Sequence, residues 1–274
     1  MPELREVTGR IARRSYVAAA MLIAAAPALA QEIVTLPTRP DVTQSFLLIA
    51  PKQGKPAAVA ILFPGGNGAI RLRSEEGEIK FNGGNFLVRA RLSFVEGGIA
   101  AAVLDAPSDE SRGMDDRFRL GEKHATDVAA VVAELKKRYD SVPVYLVGTS
   151  RGAISAAGSG AALGTSVSGV ALTSSVFLGA RSGPGLSGFD YTRIKAPVLL
   201  VHHAEDGCSV TPYREAQKLA EAREYPLITV KGGEPARSDP CEAFSAHGYL
   251  GREKETVEAI SNWIVHKPYR DKIE

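Results

Sequence analysis

Gly148-Thr149-Ser150-Arg151-Gly152 decides how this chain is read. Val142-Pro143-Val144-Tyr145-Leu146-Val147 runs into it with the composition of a buried strand. Ala153 to Leu163 runs out of it, rich in Ala and Gly, and can form a helix packed closely on a sheet. Strand, G-x-S-x-G and helix in that order is a nucleophile elbow. The turn is so tight that only small residues fit two positions either side of the serine. It holds the Ser150 hydroxyl out at the end of the strand. It also aims the N-terminus of the next helix, with its free N–H groups and positive dipole end, at whatever the serine attacks. The bare pattern is weak in a chain with 27 glycines, so the flanking elements carry the argument, against the alternative of a chance turn.

The chain has 274 residues, 45% hydrophobic and 23% charged, which suits one large globular domain with an ample core. Residues 1–30 read differently. Arg5, Arg10, Arg13 and Arg14 form a basic region, Val17 to Ala26 an apolar stretch, and Ala28-Leu29-Ala30 an A-x-A site before Gln31. This order is that of a secretory signal peptide. The apolar stretch falls short of the roughly 20 residues that span a bilayer. Arg13-Arg14-Ser15-Tyr16-Val17 also resembles a twin-arginine export signal, so both export routes stay open. The expectation is a periplasmic or secreted protein, residues 31–274, with no stable membrane association once the peptide is removed. A membrane anchor or an ordinary first helix is the alternative.

The four arginines and two glutamates of residues 1–30 account for the basic balance. Of the 33 basic and 31 acidic side chains, 29 and 29 remain without them. A neutral mature chain offers no basic face to nucleic acid or to a membrane surface. Two cysteines, Cys208 and Cys241, lie in the mature part, and an exported chain with an even cysteine count can bridge them. Two unrelated thiols are the alternative. Neither cysteine belongs to a C-x-x-C pair, which argues against a metal site.

Further elements follow from composition. Residues 31–45 read as an extended leader broken by Pro37 and Pro40. Strands are expected over 45–50, 57–63, 99–104, 167–172, 196–202 and 226–230. Helices are expected over 86–95 with Asn85 as its cap, 122–139, 212–222 and 249–265. Residues 71–85, 108–120 and 174–187 read as loops. Strands buried on both faces and alternating with helices imply a mainly parallel sheet with helices on both sides. The short connection between 172 and 196 leaves no room for a large lid.

With these residues in view, the chain resembles the α/β-hydrolase superfamily over roughly residues 45–268. Within it, the chain looks like the small capless exported bacterial hydrolases near the dienelactone-hydrolase group. The resemblance implies a single-domain α/β-hydrolase fold and a triad in the chain order serine, acid, histidine. Ser150 is then the nucleophile. Asp206, just beyond the strand at 196–202 and followed by Gly207, is the acid, with Glu205 as runner-up and a surface carboxylate as the structural alternative. His247, between the last short strand and the last helix, is the base, with a helix-cap histidine as the alternative. His124 and His266 read as surface residues. His202 and His203 lie beside the acid, one packing at the sheet edge and His203 a candidate for the pocket. Asp105 and Asp109 follow a strand end, with structural roles as their alternative.

The resemblance also implies an oxyanion hole from the Arg151 main-chain N–H and one N–H of Pro64-Gly65-Gly66-Asn67-Gly68. Gly66 is the first choice and Asn67 the second. Pro64 stands where many relatives carry His, which leaves the exact donor open. The implied activity is a serine hydrolase cleaving small carboxylic esters through an acyl-enzyme, without metal or cofactor. A peptidase or amidase, a lactone or thioester hydrolase, and a secreted binding protein with a dead site are the alternatives. Because Cys208 lies two residues after Asp206 and Cys241 six before His247, a meeting of those two residues would bring the cysteines within bridging distance.

Cleavage after Ala30 is directly testable. N-terminal sequencing of the exported protein should begin at Gln31, whereas an intact Met1 on the exported protein would contradict the signal-peptide assignment.

Overall fold

A computed structural model describes residues 31–180 and 183–274. Residues 1–30, which carry the expected signal peptide, lie outside the described residues. The chain opens with β1 (Gln31–Arg39) and β2 (Val42–Ile49), an antiparallel pair in which Val34 faces Phe46. The stretch read as an extended leader is therefore a strand. Pro37 is tolerated because β1 is an edge strand with a register shift between Pro37 and Arg39.

β3 (Ala58–Phe63) follows, then a small hairpin of β4 (Arg73–Glu75) and β5 (Glu78–Lys80) within the segment expected to be loop. Asn85 caps the next helix as expected, its Oδ1 accepting the Leu87 N–H at 3.2 Å. That helix is two short ones, α1 (Phe86–Arg89) and α2 (Arg91–Glu96), separated at Ala90. β6 (Ile99–Leu104) has the expected limits. The charged 108–120 stretch contains α3 (Asp116–Leu120), started by Asp115, whose carboxylate accepts the Phe118 N–H at 2.7 Å.

α4 (Glu122–Arg138), β7 (Val144–Thr149), α5 (Arg151–Leu163), β8 (Gly169–Thr173), β9 (Val198–His203), α6 (Tyr213–Arg223) and β10 (Leu227–Val230) complete the alternating run. α7 (Glu253–Ile264) starts four residues later than expected, because Tyr249 takes a left-handed backbone with φ +58°. A last short strand, β11 (Lys272–Ile273), pairs with β10; it was not anticipated.

Among the described residues the main sheet has nine strands in the order β1-β2-β6-β3-β7-β8-β9-β10-β11. The pairs from β6 onward in that order are parallel, and β2 joins β6 antiparallel. Side chains alternate across the central strands. Val59 and Ile61 enter an apolar cluster with α4 and α5, while Ala60 and Leu62 enter one with α1, α2 and α7. Helices thus cover both faces of a mainly parallel sheet, as expected. No helix among the described residues is long and apolar enough to cross a membrane.

The loop after β9 and the segment between β10 and α7 are cross-linked. Cys208 and Cys241 form a disulfide with Cα atoms 4.5 Å apart, closing a sequence separation of 33 residues. In the chain-entropy account such a bridge stabilises by about 3–4 kcal/mol. Thiol titration of the denatured, unreduced protein should find no free thiol, and reduction should lower Tm. Two thiols per chain would contradict the bridge.

His124 departs from its expected surface position. It is fully buried on α4, against the Phe63 and Phe118 rings, and neither ring nitrogen has a hydrogen-bond partner among the described residues. Burial pushes its pKa down to about 3, and the nearby Arg119 and Arg39 cations push the same way. Below about pH 6.5 the unfolded chain takes up a proton that the folded chain refuses until about pH 3. Stability therefore falls as pH falls through that window, by an amount on the order of a few kcal/mol. Tm measured from pH 7 to pH 4 should fall less steeply for His124→Leu than for the parent, and parallel curves would refute this assignment.

Candidate active site

Ser150 sits at the junction of β7 and α5 with φ +55° and ψ −126°, a backbone that non-glycine residues rarely adopt. The junction leaves no room for side chains on either flank. A Cβ on Gly148 would lie 2.3 Å from the Gly152 carbonyl oxygen, and a Cβ on Gly152 would lie 2.0 Å from that of Phe63. The G-x-S-x-G spacing is thus a packing requirement: the end of β3 touches the first turn of α5. The Ser150 N–H donates to Thr173 O at 3.0 Å, which ties the turn to β8. Ser150 itself stays half-buried, at the wall of a cavity of about 530 Å³.

Asp206 and His247 meet although 41 residues separate them. His247 Nδ1–H donates to Asp206 Oδ2 at 2.9 Å. The same oxygen accepts the Thr211 hydroxyl at 2.9 Å, and Oδ1 accepts the Cys208 N–H at 2.9 Å. Burial works against ionisation of Asp206. The His202 and His247 imidazoles outweigh it and hold the carboxyl well below the usual carboxylate range. His247 is fixed from behind as well. The Ser245 hydroxyl accepts its N–H at 3.2 Å, its carbonyl accepts the Ser174 hydroxyl at 2.8 Å, and Arg89 Nη2 holds the Gly248 carbonyl at 2.6 Å. His247 Nε2 is buried and has no hydrogen-bond partner among the described residues. Ser150 and His247 line the same cavity, without a hydrogen bond from Nε2 to the serine.

The other acids are engaged elsewhere, and of the other imidazoles among the described residues only His202 also touches Asp206, its Nε2 3.6 Å from Oδ2. Glu205 accepts the Gly232 N–H at 3.2 Å. Asp105 accepts the main-chain N–H groups of Ile70 and Leu72, and Asp109 pairs with Arg39 through both oxygens. His202 Nε2 bonds Thr211 O at 2.7 Å and His203 Nε2 bonds Gly232 O at 3.0 Å. Both rings are buried, and His203 does not line the cavity. His266 is exposed, as expected.

The Pro64–Gly68 segment turns over the cavity beside Ser150. Gly68 N–H donates to Gly65 O at 3.2 Å, and Gly66 takes φ +60° and lines the cavity. The Asn67 side chain is engaged outside the cavity: Oδ1 accepts the Ala69 N–H at 3.1 Å and Nδ2 donates to Arg112 O at 3.3 Å. The Arg151 main chain opens α5, and its guanidinium pairs with Asp116 at 2.5 and 2.9 Å.

A residue absent from the expectations braces this turn. Arg119, 1% exposed, donates from Nη2 to Gly66 O at 3.0 Å and from Nη1 to the Ser155 hydroxyl at 2.9 Å. Gly68 makes room for it, since a Cβ there would come 2.8 Å from Nη2. Nothing local marks Arg119, which stands in a charged segment that reads as loop. A larger cleft of about 670 Å³ lies between α4, α5 and residues 184–193, and holds none of the expected site residues.

No protein-family model matches the chain, and no curated protein matches it. Solved structures do. Est1E from Butyrivibrio proteoclasticus superposes with a TM-score of 0.59 at 17% identity, covering 85% of this chain and 98% of that one. An α/β serine hydrolase without a lid from Xanthomonas campestris gives 0.56 at 14% identity, with 85% and 95% covered. An α/β serine hydrolase homologue from Coxiella burnetii gives 0.56 at 16% identity, with 88% and 99% covered. At such identities the likeness speaks to the fold alone. The chain has the α/β-hydrolase fold, in the form that carries no lid.

Proposed function

We propose that this protein is an exported serine hydrolase that cleaves small carboxylic esters through an acyl-enzyme. One observation carries the proposal. Ser150, strained into an elbow, shares a cavity with His247, whose Nδ1 is held by Asp206 and whose Nε2 is unengaged. The Nδ1–H bond to Asp206 puts the proton on Nδ1 and leaves the Nε2 lone pair to act as base.

In the first step Ser150 Oγ attacks the ester carbonyl carbon and its proton passes to Nε2. The carbonyl oxygen gains the negative charge, which the Arg151 and Gly66 main-chain N–H groups receive. One such donor is worth about 3–4 kcal/mol of transition-state stabilisation. His247 then returns the proton to the departing alkoxide, leaving Ser150 acylated. Water, deprotonated by the same nitrogen, then attacks the acyl carbon; the Oγ–C bond breaks, His247 returns the proton to Ser150 Oγ, and the acid leaves. Asp206 stays ionised throughout, as its depressed pKa allows.

The cavity suits a neutral acyl group. Ile70, Phe86, Val176 and Val210 give it an apolar side, and the Cys208–Cys241 bridge forms part of its wall. Est1E has been solved with ferulic acid bound, and that structure also superposes, at 16% identity and a TM-score of 0.56. A small carboxylic acid held on this fold supports an ester of similar size here. The basic and apolar order of residues 1–30, together with a disulfide in the remainder, supports export.

Ser150→Ala should keep the fold and Tm but lower kcat on p-nitrophenyl esters by a factor on the order of 10⁴ or more. A graded panel of acyl lengths defines the preference. Near-normal turnover by Ser150→Ala would end the proposal, as would failure of the parent to react with a fluorophosphonate probe.

A further inference from the structure

Asn85 stands at the cavity wall with half of its side-chain amide unused. Its Oδ1 accepts the Leu87 N–H at 3.2 Å. That bond settles which end of the planar amide faces which way: the carbonyl turns to the helix and the –NH2 turns from it. Nδ2 lies over Gly65. A Cβ built on Gly65 would fall 3.1 Å from Asn85 Nδ2 and 2.9 Å from Ser150 Cβ. Nδ2 and Ser150 Cβ are therefore no more than about 6 Å apart, across a backbone that carries no side chain. Asn85 lines the same cavity as Ser150, Gly66 and His247. Nδ2 donates to no acceptor among the described residues.

From this geometry we propose that the Asn85 side-chain amide is a further catalytic hydrogen-bond donor, aimed through Nδ2 at the oxygen that becomes negative when Ser150 attacks. The proposal rests on the serine-hydrolase assignment above. As the Oγ–C bond forms, the serine proton goes to His247 Nε2 and the carbonyl π pair goes onto oxygen. The Nδ2–H group meets that oxygen beside the Gly66 and Arg151 N–H groups. A charge of this kind, developing in a partly buried cavity, rewards each fixed donor far more than the neutral ground state does. Capping alone does not select asparagine, since Asp and Ser cap equally well and Thr only somewhat less so. None of those three presents an –NH2 to the cavity.

The two roles separate cleanly by substitution. Asn85→Asp and Asn85→Ser both keep a capping oxygen and both remove the amide donor. Each should lower kcat on a p-nitrophenyl ester by a factor on the order of 10², with KM changed by less than about threefold and Tm held. Asn85→Ala, which loses cap and donor together, should lower both kcat and Tm. Near-parental kcat in Asn85→Ser overturns the proposal. So does a loss confined to KM, or a loss of kcat that tracks a fall in Tm. Ser150→Ala is measured alongside. If it is inactive while Asn85→Ser is fully active, the Asn85 assignment alone falls; if Ser150→Ala is active, the hydrolase assignment falls with it.

Discussion

Everything at the proposed reaction centre depends on one close approach, the Gly152 backbone against the carbonyl oxygen of Phe63. A Cβ at Gly152 would come within 2.0 Å of that oxygen, so the first turn of α5 can press on the end of β3 only because the residue has no side chain. This contact places Ser150 at its unusual dihedrals. It also sets the Pro64–Gly68 turn beside the serine, because that turn begins where β3 ends. Phe63 ends β3 and Gly152 lies just past β7, two neighbouring central strands, so the geometry is held by the well-packed middle of the sheet.

The rest of the site is held by a second, longer-range device. Asp206 leaves β9, and His247 precedes α7. Three donors fix the carboxylate, and main-chain and side-chain bonds from Ser245, Ser174 and Arg89 fix the histidine segment. The disulfide adds a covalent tie between the same two segments. Redundant support of this kind keeps the Asp206–His247 pair within the narrow tolerances that the proposed proton transfer needs.

Much of this was legible in the sequence, and the boundary of legibility has a physical cause. The central strands announce themselves because both faces are buried, which gives unbroken apolar runs such as Ile99 to Leu104. The elbow is legible because its glycines are demanded by local contact. The pairing of Cys208 with Cys241 followed once Asp206 and His247 were expected to meet, and the bridge is present. What escaped depends on partners remote in sequence. Two residues make β11, and only the ladder to β10 makes them a strand. His124 looks like a surface residue on a polar helix start until Phe63 and Phe118 close over it. Arg119 stands in a charged stretch, yet it turns inward to Gly66 and Ser155. Asn85 was seen as a cap, and only the fold places the other half of its amide near Ser150.

The unengaged Nε2 of His247 and the positive-φ backbone of Ser150 are both local debits. An unpaired buried polar atom and a strained residue each carry an unfavourable contribution of about 1–3 kcal/mol. Under the proposed function, substitutions that relax this spot trade turnover for heat resistance. A bound molecule that supplies Nε2 with a partner also completes the protein's own hydrogen bonding. Its effect on melting then exceeds what its contact area alone would suggest.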